Sequence, residues 1–349
     1  MFNKMIIDGI EISETTPPYI IAEMSGNHNG DLNRALRLIE LAKESGASAV
    51  KLQTYTPDTM TINHKSSDFM VKEGLWKGYS LYDLYEMAHT PWEWHKALYD
   101  KGKQIGITVF STPFDNTSVD FLESLNTPVY KISSFENCDI PLIRKIASTK
   151  KPVIMSTGMS NLSEIEDSVY NLKKYGCNNL ALLHCVSGYP TKIDESNLQT
   201  IIDLKSKFKT IIGLSDHTMG NVTSVVAIGL GAKIIEKHFT LNRADGGPDS
   251  SFSLHKEELK NLVNDCNQAF LSLGNINYEK KPSEKNSFIF RRSVYVVKNV
   301  EEGETFTKEN IRVIRPGFGS QPKTYDQILG KKSNRKLHKG TPFSMEFLS

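Results

Sequence analysis

Cysteine is scarce, with four in 349 residues (Cys138, Cys177, Cys185 and Cys266) and no CxxC spacing. That excludes a disulfide framework and a zinc clip, and reads as the reduced thiols of a cytosolic protein. A surplus of one charge is also missing: 42 Lys and Arg stand against 40 Asp and Glu, a formal net charge of +2. No basic field therefore argues for a nucleic-acid partner. No apolar run is long enough to span a bilayer. The stretch from Met1 to Gly9 has no long apolar segment, so no signal peptide is expected and the expected location is the cytoplasm. A GxGxxG turn after the first strand-like run is absent as well, which counts against a doubly wound dinucleotide fold.

What is there begins with a repeat. Short apolar, β-branched runs alternate with longer amphipathic stretches from about residue 19 to about residue 275. The runs are Tyr19–Ala22, Ala49–Leu52, Ile107–Phe110, Pro128–Ile132, Pro152–Met155, Leu180–Leu183, Thr210–Ile212 and Lys233–Ile235. Between them lie helix-like segments such as Leu32 to Ser45, and one opening at Asn161-Leu162-Ser163-Glu164 and closing at Gly176. Eight β-α units predict an α/β fold of the TIM (β/α)8-barrel type. The chain is longer than one core usually serves, so a second, small domain is expected.

A barrel gathers its functional side chains where strands end. The first strand ends in Glu23, the second carries Lys51 and Gln53 on one face, and the third ends in Ser111-Thr112-Pro113. Lys131, Ser133, Ser134 and Glu136 follow at the fourth, Ser156-Thr157-Gly158 at the fifth, and Ser187-Gly188-Tyr189-Pro190 at the sixth. The seventh and eighth supply Ser215, His217, Glu236 and His238. Glu236 and His238 are two apart, so on a strand they share a face. Two imidazoles at the mouths of successive strands can share one metal ion; alone, each would read as a satisfied histidine near a sheet edge. Lys51 and Lys131 sit in apolar strands, where an unpaired ammonium is costly. They read either as salt bridges to Glu23 or Glu136 or, with Thr112, Ser134, Ser156 and Ser215, as a cradle for a phosphate or phosphorylated carboxylate. A metal beside that cradle could polarise a carbonyl. The inventory suggests joining a phosphorylated donor to an aldehyde or ketone, with a Schiff-base aldolase still open.

Residues 279–288 are polar and charged, as a linker should be, which divides the chain into a barrel domain (1–278), the linker (279–288) and a C-terminal domain (289–349). In the last part the period becomes two, at Val294 and Val296, and Gly303-Glu304-Thr305-Phe306-Thr307 is echoed by Gly340-Thr341-Pro342-Phe343-Ser344. About 60 residues make a marginal core, so this β-rich domain is expected to lean on another surface. Arg315 stands in a turn, either exposed or presented to a ligand.

Taken in order, Ile21-Ala22-Glu23-Met24-Ser25-Gly26-Asn27-His28-Asn29-Gly30, Lys51-Leu52-Gln53-Thr54, Ser156-Thr157-Gly158-Met159, Gly213-Leu214-Ser215-Asp216-His217-Thr218 and Glu236-Lys237-His238-Phe239 resemble the sialic acid synthase family. The stretch from Leu81 to His95 is similar to the pseudaminic acid synthase branch of that family. The resemblance covers essentially the whole chain, including an antifreeze-like (SAF) C-terminal domain. It implies a metal-dependent condensation of phosphoenolpyruvate with an acetamido sugar to a nonulosonic acid and phosphate. For the named branch the acceptor is 2,4-diacetamido-2,4,6-trideoxy-altrose and the product pseudaminic acid, for bacterial surface glycans. Mn²⁺, Mg²⁺ or Co²⁺ would be held by His217 and His238. Phosphoenolpyruvate contacts would come from Lys51, Thr112, Lys131, Ser134, Ser156, Ser187 and Ser215. Acid/base or sugar-orienting roles would fall to Glu23, Glu136, Tyr189, Glu236 and Asp249. In such enzymes the small domain caps the partner's barrel in a homodimer, with Arg315 reaching the sugar. Trp76, Trp92 and Trp94 are open to two readings, a pocket wall that excludes a 6-hydroxyl or a helix-packing cluster.

Overall fold

A computed structural model describes residues 4–349, which form two units, one up to Gly274 and one over Asn275–Ser349. The first begins with a two-stranded antiparallel hairpin, β1 (Met5–Ile7) and β2 (Ile10–Ile12), turned at Asp8 and Gly9 with both residues at positive φ. The repeat follows as β3 (Tyr19–Glu23), α1 (Leu32–Glu44), β4 (Ala49–Thr54), α2 (Pro57–Met60), α3 (Leu81–Ala88), α4 (Trp92–Ile105) and β5 (Thr108–Pro113). It continues through α5 (Asn116–Ser124), β6 (Tyr130–Ile132), α6 (Ile140–Ser148), β7 (Val153–Ser156) and α7 (Leu162–Lys174). The last members are β8 (Leu180–Cys185), α8 (Thr200–Phe208), β9 (Ile211–Asp216), α9 (Val222–Gly229), β10 (Ile234–His238) and α10 (Lys256–Leu273). β3 to β10 pair in parallel in sequence order, and β10 closes on β3. The barrel expected from eight β-α units is therefore present.

Local chemistry starts and stops the helices. Asn161 caps α7 through its side chain on the backbone N–H of Glu164, whose carboxylate returns to Asn161, and Gly176 at positive φ follows its end. Because side chains alternate across a strand, each barrel strand feeds two cores. Ile20, Ala22, Val50, Leu52, Val109, Met155, Leu182, Leu214 and Ile235 face the helices in the larger cluster. Tyr19, Ile21, Ala49, Phe110, Ile154, Ala181, Leu183, Ile211 and Ile234 fill the interior, and Met5, Ile7 and Ile12 of the hairpin join them. The interior-facing series then runs on, two residues at a time, into Glu23, Lys51, Gln53, Thr112, Lys131, Ser156, Cys185, Ser215, Glu236 and His238. The lower barrel is thus apolar and its upper layer polar.

The second unit pairs β11 (Ser293–Val296) with β12 (Ile311–Ile314), antiparallel, and adds the short α11 (Tyr325–Ile328). Its own core comprises Val294, Val296, Val300, Phe306, Ile311, Ile328, Leu337 and Phe343. The two echoed segments meet there, with Phe306 and Phe343 edge-to-face at 4.9 Å. Most of the stretch expected as a linker, residues 279–288, lies in a 3₁₀ helix, Pro282–Phe290, whose proline stands at its start and whose side chains are largely exposed.

Candidate active site

Register brings the polar layer together. Glu23 is level with Lys51, His238 with Glu23, Gln53 with Thr112, and Ser215 with both Glu236 and Cys185. Lys51 Nζ lies 2.8 Å from Glu23 Oε2, donates to Thr112 Oγ1 at 3.1 Å, and is 3.9 Å from Glu236 Oε1. Lys131 Nζ donates to Ser156 Oγ at 2.6 Å and to the Ile132 carbonyl at 3.0 Å, with Glu236 Oε1 3.8 Å away. Of the two carboxylates the sequence offered the lysines, Glu23 is taken. Glu136 instead accepts a hydrogen bond from Ser133, and Glu236 serves as the shared counterion.

Burial acts on every charge in this layer, and the partners decide the sign. Glu23 is pushed up to about 7 by burial and by Glu236, against the pull of Lys51. For Glu236 burial is outweighed by Lys131 and Lys51, so its carboxyl is held below the ordinary range. Burial lowers Lys131, with Lys51 adding to the effect. For Lys51 burial is overcome by Glu23 and Glu236, and its pKa rises. Glu136, on the loop after β6, is raised to about 7 by burial.

Two residues past Ser156, Gly158 lies against the side chains of Ser134 and Ser187. A Cβ there would lie 2.4 Å from Ser187 Oγ and 2.7 Å from Ser134 Oγ, so only glycine lets the two hydroxyls approach this backbone so closely. The Gly158 N–H donates to Ser134 Oγ at 3.2 Å, and Asn137 Nδ2 holds the carbonyls of Ser156 and Gly158 at 3.1 and 3.3 Å. The result is a turn that carries two hydroxyls just beyond Ser156, the residue that holds the Lys131 ammonium.

Cys185 Sγ lies 3.8 Å from both Ser187 Oγ and His217 Nδ1, and beyond it the rings of His217 and His238 stand 5.4 Å apart, centroid to centroid. His217 Nδ1 is 3.0 Å from the Val186 carbonyl, which accepts its proton and leaves Nε2 open. Burial would lower His217, but Cys185, whose Sγ is 3.8 Å away, raises it. Burial pushes the Cys185 thiol up, and His217 outweighs it and brings it down to about 7. His238 is held well below its ordinary range by burial and by His217, so it is neutral, and its buried Nδ1 has no hydrogen-bond partner. Asp249, which takes a hydrogen bond from Ser25, approaches that nitrogen at 3.8 Å and is raised to about 7 by burial. Among the described residues no three His, Cys, Asp or Glu side chains converge on one point as a complete metal cage. A neutral imidazole with an orphaned nitrogen, facing a second imidazole with a free Nε2, nevertheless fits a divalent ion that draws its remaining ligands from substrate and water.

Tyr189 packs on His217 at 4.4 Å and on Trp76 at 5.6 Å. With Glu136, His238 and Asp249 it borders a cavity of about 320 Å³ above the polar layer. Of the residues picked out from the sequence, all but Arg315 lie in the barrel unit. Arg315 is exposed in the second unit with its guanidinium 5.9 Å from the Phe290 ring. Sequence reasoning left Gln53, Ser25 and Cys185 out of the candidate set. Gln53 donates to Glu23 Oε1 at 3.1 Å, and strand parity with Lys51 was the signal for it. Cys185 continues the inward parity of Ala181 and Leu183 but reads as one more apolar residue.

A closed (β/α)8 barrel with paired lysines, carboxylates and imidazoles gathered at the C-terminal ends of its strands defines a barrel enzyme. The NeuB family pattern matches residues 38–278 and the SAF domain pattern residues 291–349, so the chain belongs to the NeuB family and is a transferase-type enzyme. It is 43% identical over 332 residues to the pseudaminic acid synthase of Helicobacter pylori, covering 95% of this chain and 97% of that one. It is 39% identical to the N,N'-diacetyllegionaminic acid synthase of Campylobacter jejuni, covering 89% and 94%. Among solved structures, an N-acetylneuraminic acid synthetase of Leptospira borgpetersenii in complex with citrate superposes with a TM-score of 0.74. It is 33% identical, over 82% of this chain and 95% of that one.

Proposed function

We propose that this enzyme condenses phosphoenolpyruvate with 2,4-diacetamido-2,4,6-trideoxy-altrose to give pseudaminic acid and phosphate. The observation that carries the reading is the gathering of two buried ammonium groups, Lys51 and Lys131, with the serine hydroxyls around Gly158 and the imidazole pair at one barrel mouth. Identity to a pseudaminic acid synthase over nearly the whole chain supports the choice of acceptor. The legionaminic acid synthase at 39% keeps a differently configured diacetamido or N-acetylmannosamine-type sugar as the second reading.

In this reading Ser134, Ser187 and the ammonium of Lys131 bind the phosphate, while Lys51, Thr112, Ser156 and Ser215 hold the carboxylate of the donor. His217 and His238 hold a divalent ion, Mn²⁺, Mg²⁺ or Co²⁺, which when bound polarises the sugar aldehyde as a Lewis acid. The methylene carbon of phosphoenolpyruvate forms a bond to the aldehyde carbon, and positive charge develops at the carbon bearing phosphate. Glu23 and Glu236 face that charge. Water adds there, and Glu23, poised near neutrality, can take its proton. The C–O bond to phosphate then breaks. Glu136, Tyr189 and Asp249 orient the sugar from the cavity wall. The reaction takes place in the cytoplasm by a homodimer in which Arg315 of one protomer reaches the sugar bound by its partner.

The test is phosphate release and product mass with phosphoenolpyruvate and Mn²⁺, with either the diacetamido sugar or N-acetylmannosamine as acceptor. Release only with the diacetamido sugar is expected. Release only with N-acetylmannosamine overturns the acceptor, and release without any sugar, or a borohydride-trapped lysine adduct, overturns the condensation itself.

A further inference from the structure

The cavity over the polar layer has a mixed lining. Gln53, Glu136, His238 and Asp249 contribute polar groups to it. Met60, Val71, Trp76, Leu81 and Leu84, from the segment that follows β4, contribute apolar ones. That segment folds back on itself, with Met70 bridged to Ser80, Val71 N–H donating to the Tyr79 carbonyl and Gly78 N–H to the Val71 carbonyl, both at 2.9 Å. Trp76 stands in the turn of this small hairpin. Its indole N–H donates to the Pro248 carbonyl at 2.7 Å. Pro248 in turn fills the space over Gly26, where a Cβ would lie 2.6 Å from its Cγ.

The three tryptophans part company here. Trp92 stacks on Phe121 at 4.7 Å and donates to the Tyr55 carbonyl, and Trp94 meets His28 edge-on at 5.5 Å, both in packing roles. Only Trp76 of the three lines the cavity. Because Pro248 already takes its N–H, what Trp76 turns toward a ligand is carbon alone. A sugar hydroxyl laid against that surface would lose its water and find no partner, whereas a methyl group would lose nothing. Met60, Val71, Leu81 and Leu84 also present carbon, but Trp76 is the one of this group that packs on Tyr189, at 5.6 Å, next to the imidazole pair.

We propose that Trp76 is a specificity-determining residue of the acceptor site, selecting a sugar that ends in a methyl group at C6 over the same sugar with a C6 hydroxymethyl. This rests on the function proposed above. The experiment compares kcat/KM for 2,4-diacetamido-2,4,6-trideoxy-altrose and its 6-hydroxy counterpart in the wild type and in Trp76→Phe, Trp76→His and Trp76→Ala. The Phe variant loses the N–H but keeps a carbon surface, and it retains the wild-type preference. The His and Ala variants lower the preference about tenfold or more, the scale of one methyl-sized contact in a pocket. KM for phosphoenolpyruvate stays unchanged in all three. Should Ala unfold the hairpin, the Phe and His pair still decides, because a merely structural role would affect both alike. Equal preference in Phe and His with an active wild type overturns the role of Trp76 alone. A wild type silent with both sugars overturns the function and this proposal together.

Discussion

Replacing Gly158 by alanine adds one methyl group at the point where two serine hydroxyls converge. The added carbon would sit 2.4 Å from Ser187 Oγ and 2.7 Å from Ser134 Oγ, so both side chains must rotate away. Gly158 is not among the residues at positive φ, and the backbone accepts alanine without strain. The cost to the fold is two serine side chains displaced from their preferred rotamers, about 1–2 kcal/mol, or a fall in Tm of roughly 2–8 °C. The cost to the phosphate is larger. Each hydrogen bond from a hydroxyl to a charged oxygen is worth about 1.5–3 kcal/mol, so losing one weakens phosphoenolpyruvate about 10- to 150-fold. Isothermal titration of phosphoenolpyruvate into Gly158→Ala, with a thermal melt of the same sample, reads both quantities. The sugar KM should hold. A folded variant that binds phosphoenolpyruvate like the wild type would refute the assignment of Ser134 and Ser187 to phosphate.

Other perturbations separate the site from its scaffold. His238→Ala should lose Mn²⁺ binding by calorimetry in the absence of either substrate, since it removes the orphaned imidazole nitrogen; retained stoichiometry would count against the metal pair. Glu136→Gln tests the carboxyl raised to about 7. A raised carboxyl pKa means that the folded state binds more protons than the unfolded chain between about pH 4.5 and 7, so Glu136 contributes less stability as pH rises through that window. Glu136→Gln should therefore match the wild type in urea denaturation near pH 4.5 and exceed it near pH 8 by at most about 3 kcal/mol. A pH-independent difference would contradict the burial of a charge there. Lys237→Met strands Asp216, whose carboxylate meets Lys237 Nζ at 2.8 Å on the outer face of the barrel and also accepts from Thr218, Thr223 and Ser224. Breaking this buried pair should cost about 3–5 kcal/mol in urea denaturation without altering KM for either substrate. Asp216→Asn in the same chain should restore part of that loss.

Strand parity made most of the active layer legible in the sequence. On a parallel barrel strand the inward series is fixed once one member is known, so Lys51 with Gln53 and Glu236 with His238 could be paired on paper. Parity does not say which strand neighbours meet at the same height. Glu23 and Glu136 were equal partners for the lysines until the pairing of Glu23 with Lys51 placed Glu23 beside the ammonium and left Glu136 on a loop. The three tryptophans divide for a similar reason, because their roles depend on what comes back to meet them: Pro248 for Trp76, Phe121 for Trp92 and His28 for Trp94. The hairpin below the barrel was also missed. β1 and β2 are three residues each, too short for a periodic signal, yet Met5, Ile7 and Ile12 join the interior core.

The layered interior explains how a barrel can hold so many charges without a ligand. Below the polar layer lie Ile21, Phe110, Ile154 and Leu183, so an unpaired ammonium there would have neither water nor a counterion. Lys51 and Lys131 avoid that by sharing Glu236, whose pKa is depressed and whose charge is therefore permanent near neutrality. Glu23 is different. It sits 2.8 Å from Lys51, yet burial and the charge of Glu236 hold it near 7. A proton added to Glu23 frees Lys51 for an incoming anion while Glu236 remains in place, so the lysine pair changes partners without passing through a bare buried charge. On the proposed reading, Glu23 gives that proton to the alkoxide left when the carbon–carbon bond forms, and only then is it the carboxylate that can take one from the attacking water.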